Sequence, residues 1–450
     1  MVPLAALLQE AGHRLTGSDH TLYPPMSTLL ETLQIPVAKG FSPDHVPADC
    51  DLVIVGNAAT RDNVEALGAQ ARGLPVLSLP QAVRQFLLPG KISIVIAGTH
   101  GKTTTSALIS WFLLDSGRDP GFLVGGEMRN LARGYRSGSG PHFVLEGDEY
   151  NAAFFDRGPK FLHYEPRHLF VGNIEYDHAD LFADLPAVVE AFEKLVAIVP
   201  PEGVVVANRD DARVAALLPR ARARVVAVSL EDPAADFAAL EIEQHAEGTD
   251  WTLSESGRLV CRLRSPLYGL HNVRNALGAV ALARGLGLSP EEIARSLSRF
   301  EGVRRRLEVK GEARGILVVD DFAHHPTAVA GTLAAARSRW PGRRLWALFE
   351  PRSNTAGRKI FEEEYAQAFS GADALVIAPV FHSRRLPPEA RIDRDALARR
   401  FVRDGRIALA PETIEEIPSF VRAQSRPGDV LILMSSGAFG GLPETLLAML

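Results

Sequence analysis

The sequence predicts an α/β protein of three domains built on parallel sheets. Short apolar runs alternate with helical patterns through most of the chain, the signature of βαβ units. A length of 450 residues accommodates about three domains of roughly 150 residues each. A composition 46% hydrophobic and 23% charged is that of an ordinary globular chain, not a fibre or a disordered segment.

Strands are expected at 52–55, 92–97, 143–145, 169–171, 204–207, 316–319, 345–349, 374–377 and 430–434. Helical spacing marks 103–116, 187–198, 272–285, 326–339 and 362–369. Residues 232–270 alternate irregularly and read as a β-rich insertion. A Leu-Pro-Gly break at 88–90 and the end of a helix near Gly302 divide the chain into domains 1–89, 90–302 and 303–450. At the start, residues 2–12 read as a helix, 13–16 as a short strand and Gly17-Ser18-Asp19 as the turn after it. This is the second half of a nucleotide-binding βαβ unit, in which an acidic residue after the second strand often meets a ribose. The preceding strand and its glycine-rich turn are expected upstream of Met1.

A net charge of −5 argues against sequence-independent nucleic-acid binding, which needs basic surface to neutralise phosphates. Cys50 and Cys261 match no metal or redox spacing and fit a reducing, cytoplasmic compartment. The longest apolar runs, 107–114 and 92–97, fall far short of the roughly 18 residues of a membrane span. The apolar N-terminus has no basic flank, so it reads as a helix rather than a signal peptide. Nothing in the sequence sets an oligomeric state.

The strongest chemical signal is the strand 92–97 followed by Gly98-Thr99-His100-Gly101-Lys102-Thr103-Thr104 and a helix. Glycines let backbone N–H groups surround phosphate oxygens, and the helix N-terminus adds its positive end. Lys102 is expected to meet the β- and γ-phosphates, and the Thr103 hydroxyl to ligate magnesium. The loop is shorter than a full Walker A motif, with Ile96 where the first glycine would stand.

Four further segments lie at strand ends or helix starts. In Glu146-Gly147-Asp148-Glu149, Glu146 is the best magnesium ligand, and a solvated acidic turn is the alternative. His178, after Asn173-Ile174-Glu175-Tyr176-Asp177, reads as a metal or phosphate ligand or as an ordinary loop histidine. His271, Asn272 and Asn275 open a helix, with the two asparagines three apart on one face. They suit the edge of a base, or one is a cap and the other exposed. In the last domain Asp320, Asp321, His324 and His325 precede Pro326, which suits a first helical turn. Arg352, with Ser353 and Asn354, follows another strand and could clamp a carboxylate.

Taken in order, 98–105, 146–150, 173–178, 271–275, 304–306 and 320–326 resemble the motifs of the Mur ligases, which join amino acids or peptides to UDP-muramoyl precursors. The resemblance runs from about residue 2 to the end. It implies a Rossmann-like N-terminal domain for UDP, a central P-loop ATPase domain, and a Rossmann-like C-terminal domain that presents the incoming amine. It also implies ATP and Mg2+ as cofactors, with Thr103, Glu146 and His178 on the metal. His271, Asn272, Asn275 and Asp321 would serve the nucleotide, and Lys102, His178, Arg305 and His325 the reaction centre. Ser18 and Asp19 would meet the UDP-sugar, and Arg352, Ser353 and Asn354 the incoming peptide. Segments 17–19, 23–28, 151–164, 177–182, 350–355 and 435–441 resemble the branch that joins a murein tripeptide, L-alanyl-γ-D-glutamyl-meso-diaminopimelate, to UDP-N-acetylmuramate. The alternatives are the branch that adds L-alanine and a P-loop NTPase that ligates nothing. The family's Glu-Ala-Asp-Glu reads Glu-Gly-Asp-Glu here, a small change at Gly147.

Overall fold

A computed structural model describes residues 1–23, 26–381, 383 and 386–450. Pro24 and Pro25, part of one segment that resembles the tripeptide branch, lie outside the described residues. The centre of the molecule is a ten-stranded sheet. Its order runs Arg258–Ser265, Gly248–Glu255, Phe237–His245, Arg224–Ser229, Val204–Asn208, His168–Val171, Ile92–Ala97, His142–Gly147, Gly121–Met128 and Arg133–Arg136. The inner strands are parallel, and the antiparallel pairs sit at the two edges.

Side-chain alternation explains why both faces of this sheet are covered. Ile94 and Ile96 join one buried cluster with the helices Lys102–Asp115 and Leu270–Gly285. Val95 and Ala97 point to the other face, against Phe192 and Leu195 of the helix Leu185–Ile198. A fully buried parallel strand therefore reads as one continuous apolar run. The stretch 232–270 is β-rich as expected, and its three strands continue the central sheet past Arg224–Ser229.

The C-terminal sheet has six strands in the order Glu308–Ala313, Ile316–Asp321, Val430–Met434, Leu345–Phe349, Ala374–Ile377 and Ile407–Leu409. Only the first pairs antiparallel. Leu345, Ala347 and Phe349 face one core cluster, and Trp346 and Leu348 the other.

In the N-terminal region two parallel strand pairs form separate small sheets, Gly17–Asp19 with Val37–Lys39 and Val53–Val55 with Val76–Ser78. One local expectation is corrected here. The strand is Gly17–Asp19 itself, which read as a turn, while 13–16 is irregular. Pairing of Gly17 with Val37 and Asp19 with Lys39 holds this polar segment extended, and no apolar alternation advertises it. The preceding helix, Val2–Glu10, buries Leu4, Leu7 and Leu8 in the same cluster as Phe143 and Tyr135 of the central sheet.

Candidate active site

Parallel strands that end in register place their following loops at one edge. Ala97 pairs with Gly147 on one side and Val171 on the other, so three strands stop together. The phosphate loop, the Glu146–Glu149 acids and the Gly172–His178 segment consequently share the carboxyl edge of the sheet, where open α/β sheets bind ligands. Gly101 is the N-cap of the helix Lys102–Asp115 and has φ 82°, a left-handed conformation that glycine adopts without cost. A Cβ there would collide with the carboxamide of Asn275, so the loop and the helix Leu270–Gly285 are fitted to one another.

Thr99 stitches the loop to the neighbouring segment. Its hydroxyl accepts from the Glu175 N–H at 2.9 Å and donates to the Glu175 carbonyl. The His100 N–H donates to the Asn173 carboxamide at 2.8 Å, and that side chain donates back to the His100 carbonyl. Thr104 is buried in the first turn of the helix.

Lys102 is anchored at the centre. Its ammonium donates to the Gly98 carbonyl at 2.9 Å and to Glu149 Oε2 at 2.7 Å. The second oxygen of Glu149 pairs with His178 Nε2 at 3.2 Å, and the Glu149 side chain is only 2% exposed. Burial disfavours all three charges, but their mutual attraction wins. It raises the Lys102 ammonium, lowers the Glu149 carboxyl below 4.5, and raises the His178 imidazolium above 6.5 with help from Asp177. Glu149 was not singled out by sequence reasoning, although it ends the Glu-Gly-Asp-Glu segment.

Glu146 accepts from the Thr103 hydroxyl at 2.7 Å and the Gly125 N–H at 2.6 Å. Burial and the nearby Asp148 push its carboxyl upward, a cost that a cation would relieve. Thr103 and Glu146 thus offer converging hard oxygen donors of the kind magnesium takes.

The C-terminal domain contacts this edge directly. Arg306 Nη2 donates to the Thr103 hydroxyl at 3.2 Å. Arg305, the expected catalytic arginine, is held within its own domain. It donates to Asp320 at 3.1 Å and to the Ser435 carbonyl at 2.7 Å. Asp321 is buried and accepts from the Leu307 and Ala323 N–H groups and the Thr332 hydroxyl, so it braces the turn that carries Arg306. His325 caps the helix Pro326–Arg339 and approaches the Tyr176 carbonyl at 3.2 Å.

Asn354 donates to Asp180 at 2.9 Å, and the Ser353 hydroxyl accepts from the Ala356 N–H. Arg352 lies over the Phe381 ring and 3.5 Å from Glu350. Asn275 donates to Asn272 at 3.2 Å, which places both on one helix face beside the loop. His271 is held down to about 4 by burial and by Arg274 and Arg306. Ser18 and Asp19 make their hydrogen bonds within the N-terminal region, Ser18 to Glu65 and Asp19 to the Thr21 N–H.

Comparison with known proteins places this architecture. Three family models match in succession: the Mur ligase family catalytic domain over 1–89, the Mur ligase middle domain over 96–283, and the Mur ligase glutamate ligase domain over 305–437. A UDP-N-acetylmuramate–L-alanyl-γ-D-glutamyl-meso-2,6-diaminoheptandioate ligase of Escherichia coli is 37% identical over 99% of this chain and 94% of its own length. The chain belongs to the Mur ligase family. A UDP-N-acetylmuramate–L-alanine ligase of Desulfitobacterium hafniense is 35% identical to this Mur ligase over 96% of the chain and 94% of that protein. Among solved structures, a murein peptide ligase of Psychrobacter arcticus superimposes with a TM-score of 0.75 at 32% identity, covering 99% of this chain and 95% of that one. No helix among the described residues is long and apolar enough to cross a membrane.

The two site histidines should titrate on opposite sides of the ordinary value of 6.5. Burial opposes the charged form of His178, but Glu149 and Asp177 outweigh it, whereas burial and His100 lower His325 to about 4. In the metal-free protein, imidazole NMR titration should find the His178 midpoint above 6.5 and the His325 midpoint well below it. Coincident midpoints would contradict this electrostatic picture.

Proposed function

We propose that this Mur ligase joins L-alanyl-γ-D-glutamyl-meso-diaminopimelate to UDP-N-acetylmuramate at the expense of ATP, in the reducing cytoplasm. The observation that carries the reading is the meeting of two domains at the phosphate loop, with Arg306 on Thr103 and Asn354 on Asp180. A nucleotide-binding edge facing a second domain's polar edge suits a transfer between two bound substrates. The relatedness to the Escherichia coli and Psychrobacter ligases supports the tripeptide as the incoming group.

The muramoyl carboxylate attacks the γ-phosphorus of ATP and ADP leaves, giving an acyl phosphate. The free amine of the tripeptide's alanine then attacks the acyl carbon, forming the amide and expelling inorganic phosphate. Positioning and charge stabilisation do most of this work. Loop N–H groups and Lys102 cradle the phosphates, and Arg306 brings a further positive charge from the C-terminal domain. Thr103 and Glu146 would hold Mg2+, which neutralises phosphate charge when bound. His271, Asn272 and Asn275 would face the adenine, and Arg352, Ser353 and Asn354 the peptide. Ser18 and Asp19 would contact the UDP-sugar.

The test is isotopic. With the muramoyl carboxylate labelled with heavy oxygen, one label should appear in the released phosphate alongside the UDP-muramoyl tripeptide. Unlabelled phosphate would overturn the acyl-phosphate route, and absence of the ligated product would overturn the function.

A further inference from the structure

We propose that His100, Glu175 and His325 form a binding site for a divalent transition-metal ion of the Zn2+ or Co2+ class, tying the C-terminal domain to the phosphate loop. This site goes beyond the ligase reading and does not depend on it. His100 Nε2 lies 3.2 Å from Glu175 Oε2, and His325 Nδ1 lies 3.4 Å from the same oxygen. One ligand atom from each of the three residues falls within 4.8 Å of the others. Ligands held at about 2.0–2.1 Å around a tetrahedral ion stand roughly 3.4 Å apart, so these spacings require little rearrangement.

The hydrogen bonding of His325 supports the assignment. Its Nε2 sits 3.2 Å from the Tyr176 carbonyl, an atom that can only accept, so that nitrogen carries the proton. In the neutral ring Nδ1 then carries the lone pair, which accepts from the Thr327 N–H at 3.4 Å as the helix cap and lies equally near a carboxylate oxygen. Burial and the neighbouring His100 lower His325 to about 4, while hydrogen bonds from His100 and Thr327 help hold Glu175 down at about 2 against the opposing effect of burial.

The surroundings have the features of a ligand set. A ring N–H donated to a backbone carbonyl is the usual outer partner of a ligating histidine. Thr327 Oγ1 donates to Glu175 Oε2 at 2.6 Å and fixes the carboxylate. Two imidazoles and one carboxylate favour a borderline ion over Mg2+, which prefers oxygen donors such as Thr103 and Glu146. His100 and Glu175 are 19% and 26% exposed, enough for an ion and a water ligand to enter from solvent. Because His100 belongs to the phosphate loop and His325 to the C-terminal helix, an occupied site would hold the domains together and slow any reopening that turnover requires.

The experiment is a Co2+ titration of the full chain without nucleotide, in excess Mg2+ to occupy hard oxygen sites. The expected result is a saturable visible spectrum of four-coordinate Co2+ at one ion per chain, displaced by Zn2+. Glu175→Gln should weaken Co2+ by roughly tenfold or more, on the scale set by losing even outer partners of a metal site. Thr327→Ala, which leaves all three ligands, should still bind one ion. Independently of any variant, cobalt X-ray absorption of the wild-type protein should show two imidazole neighbours. No Mg2+-resistant spectrum, unchanged binding by Glu175→Gln, or an all-oxygen coordination shell would each overturn the proposal.

Discussion

Lys102→Ala is expected to abolish ADP formation. The lysine enters the phosphate loop from the first helical residue, and its ammonium is fixed by the Gly98 carbonyl and Glu149. A charge held in place before the substrate arrives needs no reorganisation when negative charge moves onto the γ-phosphoryl oxygens. Removing one such preorganised donor costs about 10²–10³-fold in kcat, and the loss of a full positive charge should be at the upper end or beyond. The measurement is single-turnover ADP release under saturating ATP. Near-normal turnover in the variant would remove the phosphate-binding role from this loop.

Glu149→Gln should produce the second large effect, through Lys102 and His178 together. The substitution preserves shape but deletes the buried negative charge that pairs with both Lys102 and His178. Leaving buried groups without their partner costs about 1–3 kcal/mol of stability. The sign with pH follows from the shifts. Glu149 is lowered below 4.5, so its contribution is present above that value and fades as pH falls through the folded-state midpoint. His178 is raised above 6.5, so its contribution is complete below that value and fades as pH rises through the raised midpoint. The stability difference between wild type and variant should therefore be greatest between 4.5 and 6.5. Denaturant unfolding across pH measures it, and kcat should fall by about 10²-fold as Lys102 loses its anchor. A flat stability difference, with the His178 midpoint unmoved, would show that the three groups are not coupled.

Much of this architecture was legible because buried parallel strands leave an unambiguous trace. Ile92–Ala97, Leu345–Phe349, Ala374–Ile377 and Val430–Met434 are apolar runs, interrupted only by Ser93, and each is a strand with the expected bounds. Helices with a proline in the first turn were equally clear, as at Pro326–Arg339. The strand Gly121–Met128 escaped notice because its glycines look like loop residues. Gly126 is small because the strand passes beside the Thr103 and Val303 side chains, a tertiary demand with no local signal. Likewise Gly17–Asp19 is a strand only through its partner Val37–Lys39.

At the site, the segments were readable but the division of labour within them was not. The phosphate loop announces Lys102 and Thr103 by spacing. Nothing local separates Arg305 from Arg306: the positive φ of Arg305, 59°, turns adjacent guanidinium groups toward different domains. Glu149 and Glu175 were hidden for a related reason. Each is one acid among several in a polar strand end, and its importance comes from which cations three-dimensional folding brings against it.

The central claim is that this Mur ligase couples ATP cleavage to attachment of a peptide, not a single amino acid. ADP release should be measured with ATP, Mg2+ and UDP-N-acetylmuramate, supplying either L-alanyl-γ-D-glutamyl-meso-diaminopimelate or L-alanine. Turnover with the tripeptide and none with L-alanine is the predicted result. Turnover with L-alanine alone would contradict it and assign the chain to the amino-acid-adding branch.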